Sequence, residues 1–262
     1  MVRVVHDMLP QERQQKILDA LKREGRVVAN ELATTFGVSE DSVRRDLREM
    51  AQAGLCRRVY GGALLPTPDF PPLSERVATH DRSRSNLSRH AAGLVGVGQT
   101  VLLDAGSTNV LIARALRGHA VTVITNSPAV AAELAGDRVT ELVTIGGRID
   151  PGSGGAIGTV AVQQLALLQV DVCIPGVRAV EPEFGAWGQS GEEAAFKQAM
   201  VRASGAVIIV ATDDKVGARG SSQFVGMQQI DHLLISDQVS ADLAARFESP
   251  TTRIHRISAT SA

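Results

Sequence analysis

The chain has 262 residues, 44% of them hydrophobic and 21% charged, with 25 glycines and only 3% aromatic residues. That length exceeds one small module and predicts two domains, and the composition predicts an Ala/Val/Leu/Gly-built α/β core rather than a disordered chain. The net charge of −1 excludes a generally basic protein, yet residues 1–62 hold eleven Lys and Arg against nine Asp and Glu, a local bias suited to a DNA-reading face.

No apolar stretch approaches the roughly 20 residues of a bilayer span, and residues 1–10 lack the secretory pattern. A cytoplasmic protein with no membrane partner is therefore expected. Cys56 and Cys173 have no Cys or His at ligand spacing, and the histidines are scattered. Both cysteines read as packing residues, and no disulfide, metal or cofactor is expected.

In chain order, residues 9–25 place Ile17, Leu18 and Leu21 on one face, with Pro10 near the start and Gly25 at the end of a first helix. Residues 28–37 set Leu32 and Phe36 one turn apart and close at Gly37, a short second helix. Ser39 is an N-cap for a third helix running to about Ala53, with Val43, Leu47 and Met50 on its apolar face. The opposite side carries Asp41, Arg45, Arg48 and Gln52, flanked by Ser42 and Arg44. Two short helices around a glycine turn, the second with an Arg-bearing outer side, form the helix-turn-helix pattern whose second helix enters the major groove. Arg45 there suits guanine, and Ser39, Ser42, Asp41, Arg44 and Arg48 are the other candidate DNA contacts. Residues 55–64, with Gly61-Gly62, read as a wing whose Arg57 and Arg58 grip phosphates. The same residues also fit a plain helical bundle with a solvated arginine face.

Residues 65–85 contain Pro66, Pro68, Pro71 and Pro72 and a charged run, and read as a linker between a DNA-binding domain at 8–64 and a larger domain at 86–262. Arg76, Arg82, Arg84 and Arg89 could touch DNA or the sensor site, but read better as part of this solvated linker and the helix turn after it.

Beyond it, apolar strand-like runs at 100–105, 121–125, 141–145, 170–175, 206–211, 232–235 and 253–257 alternate with helical patterns at 108–116, 128–134, 159–167, 192–203 and 241–247. Continuous apolar strands with intervening helices predict a mainly parallel sheet covered on both faces, with ligands at the strands' carboxyl ends. Leu103-Asp-Ala-Gly-Ser-Thr-Asn109 is a strand, a turn and a helix start, where N–H groups of Gly106 to Thr108 and the hydroxyls of Ser107 and Thr108 suit a phosphate. Thr125-Asn126-Ser127-Pro128 repeats that logic, and Gly146-Gly147 leaves room for close backbone approach. Each loop alone also fits a structural helix cap.

Val38-Ser-Glu-Asp-Ser-Val-Arg-Arg-Asp-Leu47, Gly54-Leu55, Arg57-Arg58-Val59 and Gly61-Gly62-Ala63 resemble the DeoR family of bacterial sugar-operon repressors. The resemblance extends from about Met8 to Asp237 through Asp104-Ala-Gly-Ser-Thr108, Thr125-Asn126, Gly146-Gly147, Gly158, Gly176, Gly185, Glu192-Glu193, Lys197 and Lys215. It implies a winged helix-turn-helix joined to an α/β sensor domain like ribose-5-phosphate isomerase, and a homo-oligomeric repressor released from double-stranded operator DNA by a phosphorylated sugar. By position, Ser107 and Thr108 would hold phosphate, while Asp104, Asn126, Glu192 and Lys215 would face sugar hydroxyls; Gly106, Thr125, Gly146, Gly147, Gly176 and Lys197 complete the expected effector site. The chain departs from the family pattern at Thr212, at Gly185-Ala-Trp-Gly188 and at Ala179 beside Arg178, and Trp187 is left between sugar stacking and simple packing. Two rivals stand beside this reading. One is a sugar-phosphate isomerase-like enzyme using Asp104 or Glu192 with Lys197 or Lys215; the other is an activator with a degenerate sensor.

Overall fold

The computed structural model describes residues 8–24, 26–64, 73–78 and 81–258. The chain divides into two compact units, Met1–Asp69 and Phe70–Ala262.

The first unit runs α1 (Pro10–Glu24), β1 (Arg26–Val28), α2 (Ala29–Phe36), α3 (Glu40–Gln52), β2 (Arg57–Val59) and β3 (Gly62–Leu64). Ile17, Leu21, Leu32, Val43, Leu47 and Met50 meet in one buried cluster, as the helical spacing of these apolar residues requires. Gly37 ends α2 in the left-handed conformation, and Ser39 caps α3 by accepting from the Ser42 N–H at 3.2 Å. The hairpin β2–β3 is the expected wing, and β3 also pairs with β1, a strand the sequence did not announce and whose last residue, Val28, was expected to start the second helix. A side chain at Gly62 would collide with the Val27 carbonyl across that pairing, so this position demands glycine.

The second unit begins with α4 (Leu73–Ala78) and α5 (Arg82–Gly93), both inside or overlapping the stretch expected as linker. They are helical because Val77 and Leu87 find apolar partners against the core of this unit. There follow β4 (Thr100–Leu103), α6 (Ser107–Leu116), β5 (Thr122–Thr125), α7 (Pro128–Leu134), β6 (Glu141–Thr144), β7 (Arg148–Ile149), β8 (Ala156–Ile157), α8 (Thr159–Leu165) and β9 (Val170–Ile174). The chain continues through β10 (Ala179–Glu181), β11 (Gly185–Gly188), α9 (Gly191–Arg202), β12 (Ser204–Ala211), β13 (Ser222–Val225), β14 (His232–Ser236), α10 (Ala241–Ala245) and β15 (Arg253–Ile257).

Seven strands form one parallel sheet in the order β15-β14-β12-β9-β4-β5-β6. Alternate residues feed two cores. Val101 and Leu103 of β4 pack with α5, α6 and α7, whereas Leu102 packs with α8, α9 and the small antiparallel sheet β10-β11-β13. Thus the α/β class with a mainly parallel sheet is as expected; the small sheet and the β7–β8 hairpin are additions that their short, Gly-interrupted sequences did not announce. Among the described residues no helix is long and apolar enough to cross a membrane.

From β4 the sheet grows outward through β5 to β6, then the chain returns to place β9 on the other side of β4. Strand order therefore reverses between β4 and β9, and the carboxyl ends of the strands at such a switch point are the place where open α/β sheets bind ligands.

Candidate functional site

In the first unit, the outer side of α3 is polar and open. Asp41, Arg44, Arg45 and Arg48 are exposed, as is Arg58 on the wing, while Ser42 is half-buried. The side chain of Arg57 lies outside the described residues. Ser39 and Ser42 share a hydroxyl–hydroxyl hydrogen bond of 2.8 Å, so the Ser39 side chain serves the helix cap as well as any DNA contact. Arg44 pairs with Glu40 at 2.8 Å and Arg45 with Glu49 at 3.3 Å. Exposed i,i+4 pairs of this kind contribute only about 0.3–0.5 kcal/mol, so either guanidinium can leave its partner for a base edge or phosphate at little cost.

Asp46, on the same helix, is the residue the sequence reading did not single out. It is buried and accepts from the Arg13 guanidinium of α1 through both carboxylate oxygens. This fork fixes α3 against α1, so the reading helix is held by a buried charge pair as well as by Val43 and Leu47.

In the second unit a cleft opens at the carboxyl ends of β4, β9 and β12. Gly106, Ser107 and Thr108 line it at the start of α6, whose first N–H groups have no acceptor within the helix. Gly176 closes the other side: a Cβ there would lie 2.5 Å from the Ala105 carbonyl, so only glycine lets the two strand-end loops approach. Asn109 ties the same loops together, donating to the Asp104 and Ile174 carbonyls at 2.9 and 2.8 Å.

Beneath this floor, Lys197 is almost wholly withdrawn from solvent between Asp104 at 3.1 Å and Glu193 at 2.6 Å, and it also donates to the Gly176 carbonyl. Burial works against its charge, but the two carboxylates outweigh burial and hold its pKa above the usual lysine value. Glu193 is held below the ordinary carboxylate range: burial raises it, and Lys197 more than compensates.

The cationic wall of the cleft is Arg76, Arg178 and Lys215, with Arg84 donating to the Ser107 hydroxyl at 3.5 Å. Lys215 is pushed down to about 8 by burial and by the neighbouring Arg76, Arg84 and Lys197, against the opposing pull of Asp214. Arg76 is lowered to about 10 by burial and by Arg84 and Arg178, which Glu193 opposes in part. A pocket in which cations depress one another favours an anionic guest.

Six of the expected effector residues line this cleft: Gly106, Ser107, Thr108, Gly176, Lys197 and Lys215. The others do not. Asp104 stands behind the wall, its carboxylate accepting from the Gly176 N–H at 2.9 Å and from Lys197. Glu192 is turned outward to Arg148, because on a helix it is its neighbour Glu193 that lies one turn from Lys197 on the inner face. Thr125 accepts from the Ser127 N–H at 3.0 Å, and Asn126 donates to the Ala156 carbonyl at 3.0 Å. Gly146 is clamped by the Gln164 side chain, and Gly147 sits against Ala161 and Ile157. Of the departures from the family pattern, Arg178 lines the cleft, while Trp187 packs edge-on to Phe184 with ring centres 6.3 Å apart.

Glu193, a cleft residue, was not among the expected site residues, although its i,i+4 spacing to Lys197 was a usable signal. Arg76, expected on a solvated linker in preference to the sensor site, lines the cleft, and Arg84 reaches the Ser107 hydroxyl beside it.

A DeoR-like helix-turn-helix domain model matches residues 13–69, and the DeoR C terminal sensor domain model matches residues 79–238. The chain belongs to the DeoR family. It is 31% identical over 234 residues to the HTH-type transcriptional repressor GlcR of Bacillus subtilis (strain 168), covering 88% of this chain and 90% of that one. It is 28% identical to the glycerol-3-phosphate regulon repressor of Escherichia coli (strain K12), covering 84% and 88%. Among solved structures, ribose 5-phosphate isomerase A of Methanocaldococcus jannaschii overlies 50% of this chain and 52% of that one, with 18% identity and a TM-score of 0.38; at that score it carries no argument. As a DeoR-family chain, the protein is a transcriptional regulator with a DNA-binding helix-turn-helix unit and a sensor unit.

Proposed function

We propose that this protein represses a carbohydrate operon by gripping operator DNA with α3 and the wing, and that a phosphorylated sugar in the second unit's cleft releases it. The observation that carries the effector half is the convergence of the α6 N-terminus, the Ser107 and Thr108 hydroxyls and the cations Arg76, Arg178 and Lys215 on one cleft at the sheet's switch point. The relative named for a glycerol-3-phosphate regulon agrees with phosphate-ester chemistry.

Arg45 reads base edges, with Asp41, Ser42, Arg44 and Arg48 around it, and Arg57 and Arg58 hold phosphates. A homo-oligomer presents two such helices to paired half-sites. The cleft binds rather than catalyses. Enolisation needs an uncommitted carboxylate base in the cleft, whereas Asp104 is engaged by Lys197 and the Gly176 N–H, Glu192 is turned outward to Arg148, and Glu193 is engaged by Lys197 and the Gln189 N–H. The protein acts in the cytoplasm, where its DNA and phosphate esters are.

The test is fluorescence anisotropy of the full chain on DNA from its own upstream region, titrated with a panel of sugar phosphates. Salt-sensitive, sequence-selective binding reversed by one ester is the expected result. Selective binding that no ester reverses would overturn the effector half, and absence of selective binding would overturn the DNA half.

A further inference from the structure

Helix α4 is the first described element of the second unit, and residues 65–72 are all that separate it in sequence from β3 of the DNA-binding unit. Leu73, Arg76 and Val77 are partly buried, and Glu75 and Ala78 are exposed. Leu73 rests on the loop at Gly154, where the lack of a side chain leaves room for it: a Cβ on Gly154 would lie 2.6 Å from the Leu73 side chain. Val77 packs against the core of this unit, and α4 lies along α6.

The remaining anchor is electrostatic. Arg76 enters the cleft, reaching the Gly152 carbonyl at 3.5 Å, while Arg84 donates to the Arg76 carbonyl at 2.7 Å. Arg84 and Arg178 both work against the Arg76 charge, and Arg76 in turn works against Lys215. Burial, Arg84 and Arg178 disfavour the Arg76 charge here and Glu193 offsets them only in part; an anion among these cations strengthens the hold on Arg76. An anchor whose strength changes with occupancy is what a two-position element requires.

We propose that Arg76 is an effector-contacting residue carried on a transmitting helix: an anion in the cleft draws Arg76 in, fixes α4 on the sensor unit, and so resets where the connection to the DNA-binding unit begins. This rests on the anion-site reading above. A ligand moves such an equilibrium only by binding one position better than the other, and here the Arg76–anion contact supplies that difference.

The experiment is hydrogen exchange, read by mass spectrometry, on the full chain with inorganic phosphate against chloride at matched ionic strength. Two peptides report separately: the first turn of α6, where the anion sits, and α4. In the native chain phosphate slows both, α4 by about tenfold, within the range typical of coupled sites. Arg76→Gln weakens the anion's binding, and with phosphate raised until α6 is slowed again it still shows no slowing at α4, while Arg76→Lys, which retains the charge, keeps both. Slowing at α6 without slowing at α4 in the native chain overturns the proposal and leaves the anion site standing. Slowing at α4 that survives Arg76→Gln overturns the role of Arg76. No slowing at either peptide overturns the anion-site reading itself.

Discussion

Lys197 and Glu193, one turn apart on α9, form an ion pair of 2.6 Å with side chains only 3% and 11% exposed. Removing one partner of such a pair strands the other charge, so Lys197→Met, which leaves Asp104 and Glu193 facing each other, is expected to destabilise the sensor unit by about 3–5 kcal/mol. Chemical denaturation of the native and variant chains measures it; an unchanged midpoint would show that the pair is not buried in solution.

The same pair sets an acid limit. Glu193 lies below its ordinary value of 4.5 in the folded chain, so its contribution is complete above about that pH and is lost as pH falls through the lower folded value. Lys197 is shifted the other way: its contribution is complete below 10.5 and is lost only as pH rises through a still higher folded value. A pH series of thermal melts on native protein and Glu193→Gln is expected to show the native chain losing its advantage only below about pH 4.5.

Lys215 gives the cleft a pH dependence of its own. With its pKa lowered to about 8, it is mostly charged at pH 7 and mostly neutral at pH 9. Binding that needs the ammonium weakens by about tenfold over that interval, since one pKa unit is one decade of population. Calorimetric titration of a phosphate ester at pH 7, 8 and 9 is the check, and Lys215→Met should bind weakly with a flat profile.

Arg45→Ala is expected to cost about 1–3 kcal/mol at the operator and to relax sequence preference, because a base-edge contact is lost. Arg58→Ala should instead weaken binding to all sequences alike and reduce the salt slope by roughly one. Anisotropy at several salt concentrations separates the two; matching behaviour would show that α3 does not read bases through Arg45.

Asp46→Ala leaves the Arg13 guanidinium buried without its carboxylate, at an expected cost of about 3–5 kcal/mol. The loss should be confined to the DNA-binding unit. Differential scanning calorimetry that shows that unit melting early, with the sensor transition in place, is the predicted outcome.

Much of this was legible in local sequence. Ile17 and Leu21, Val43 and Leu47 repeat at helical spacing, and helical spacing alone puts Arg45 and Arg48 on the opposite side. Ser39 and Ser127 cap the helices after them because each hydroxyl accepts from the backbone N–H three residues on. Even the core strands were visible as uninterrupted apolar runs, since a parallel sheet buries both faces of each strand. What stayed hidden were relations across the chain. Local spacing pairs Glu193 rather than Glu192 with Lys197, but only the direction of α9 against the sheet buries that pair beside Asp104.

The sequence by itself determined the main helices and core strands, their caps and the two-unit order, because those depend on forces acting between residues a few positions apart. Tertiary structure alone decided the strand order that sets the switch point between β4 and β9, and the return of α4 and α5 that brings Arg76 and Arg84 to Ser107. These choices depend on which apolar faces find one another across tens of residues, and on charges that meet only once the faces have closed. No short-range pattern encodes them.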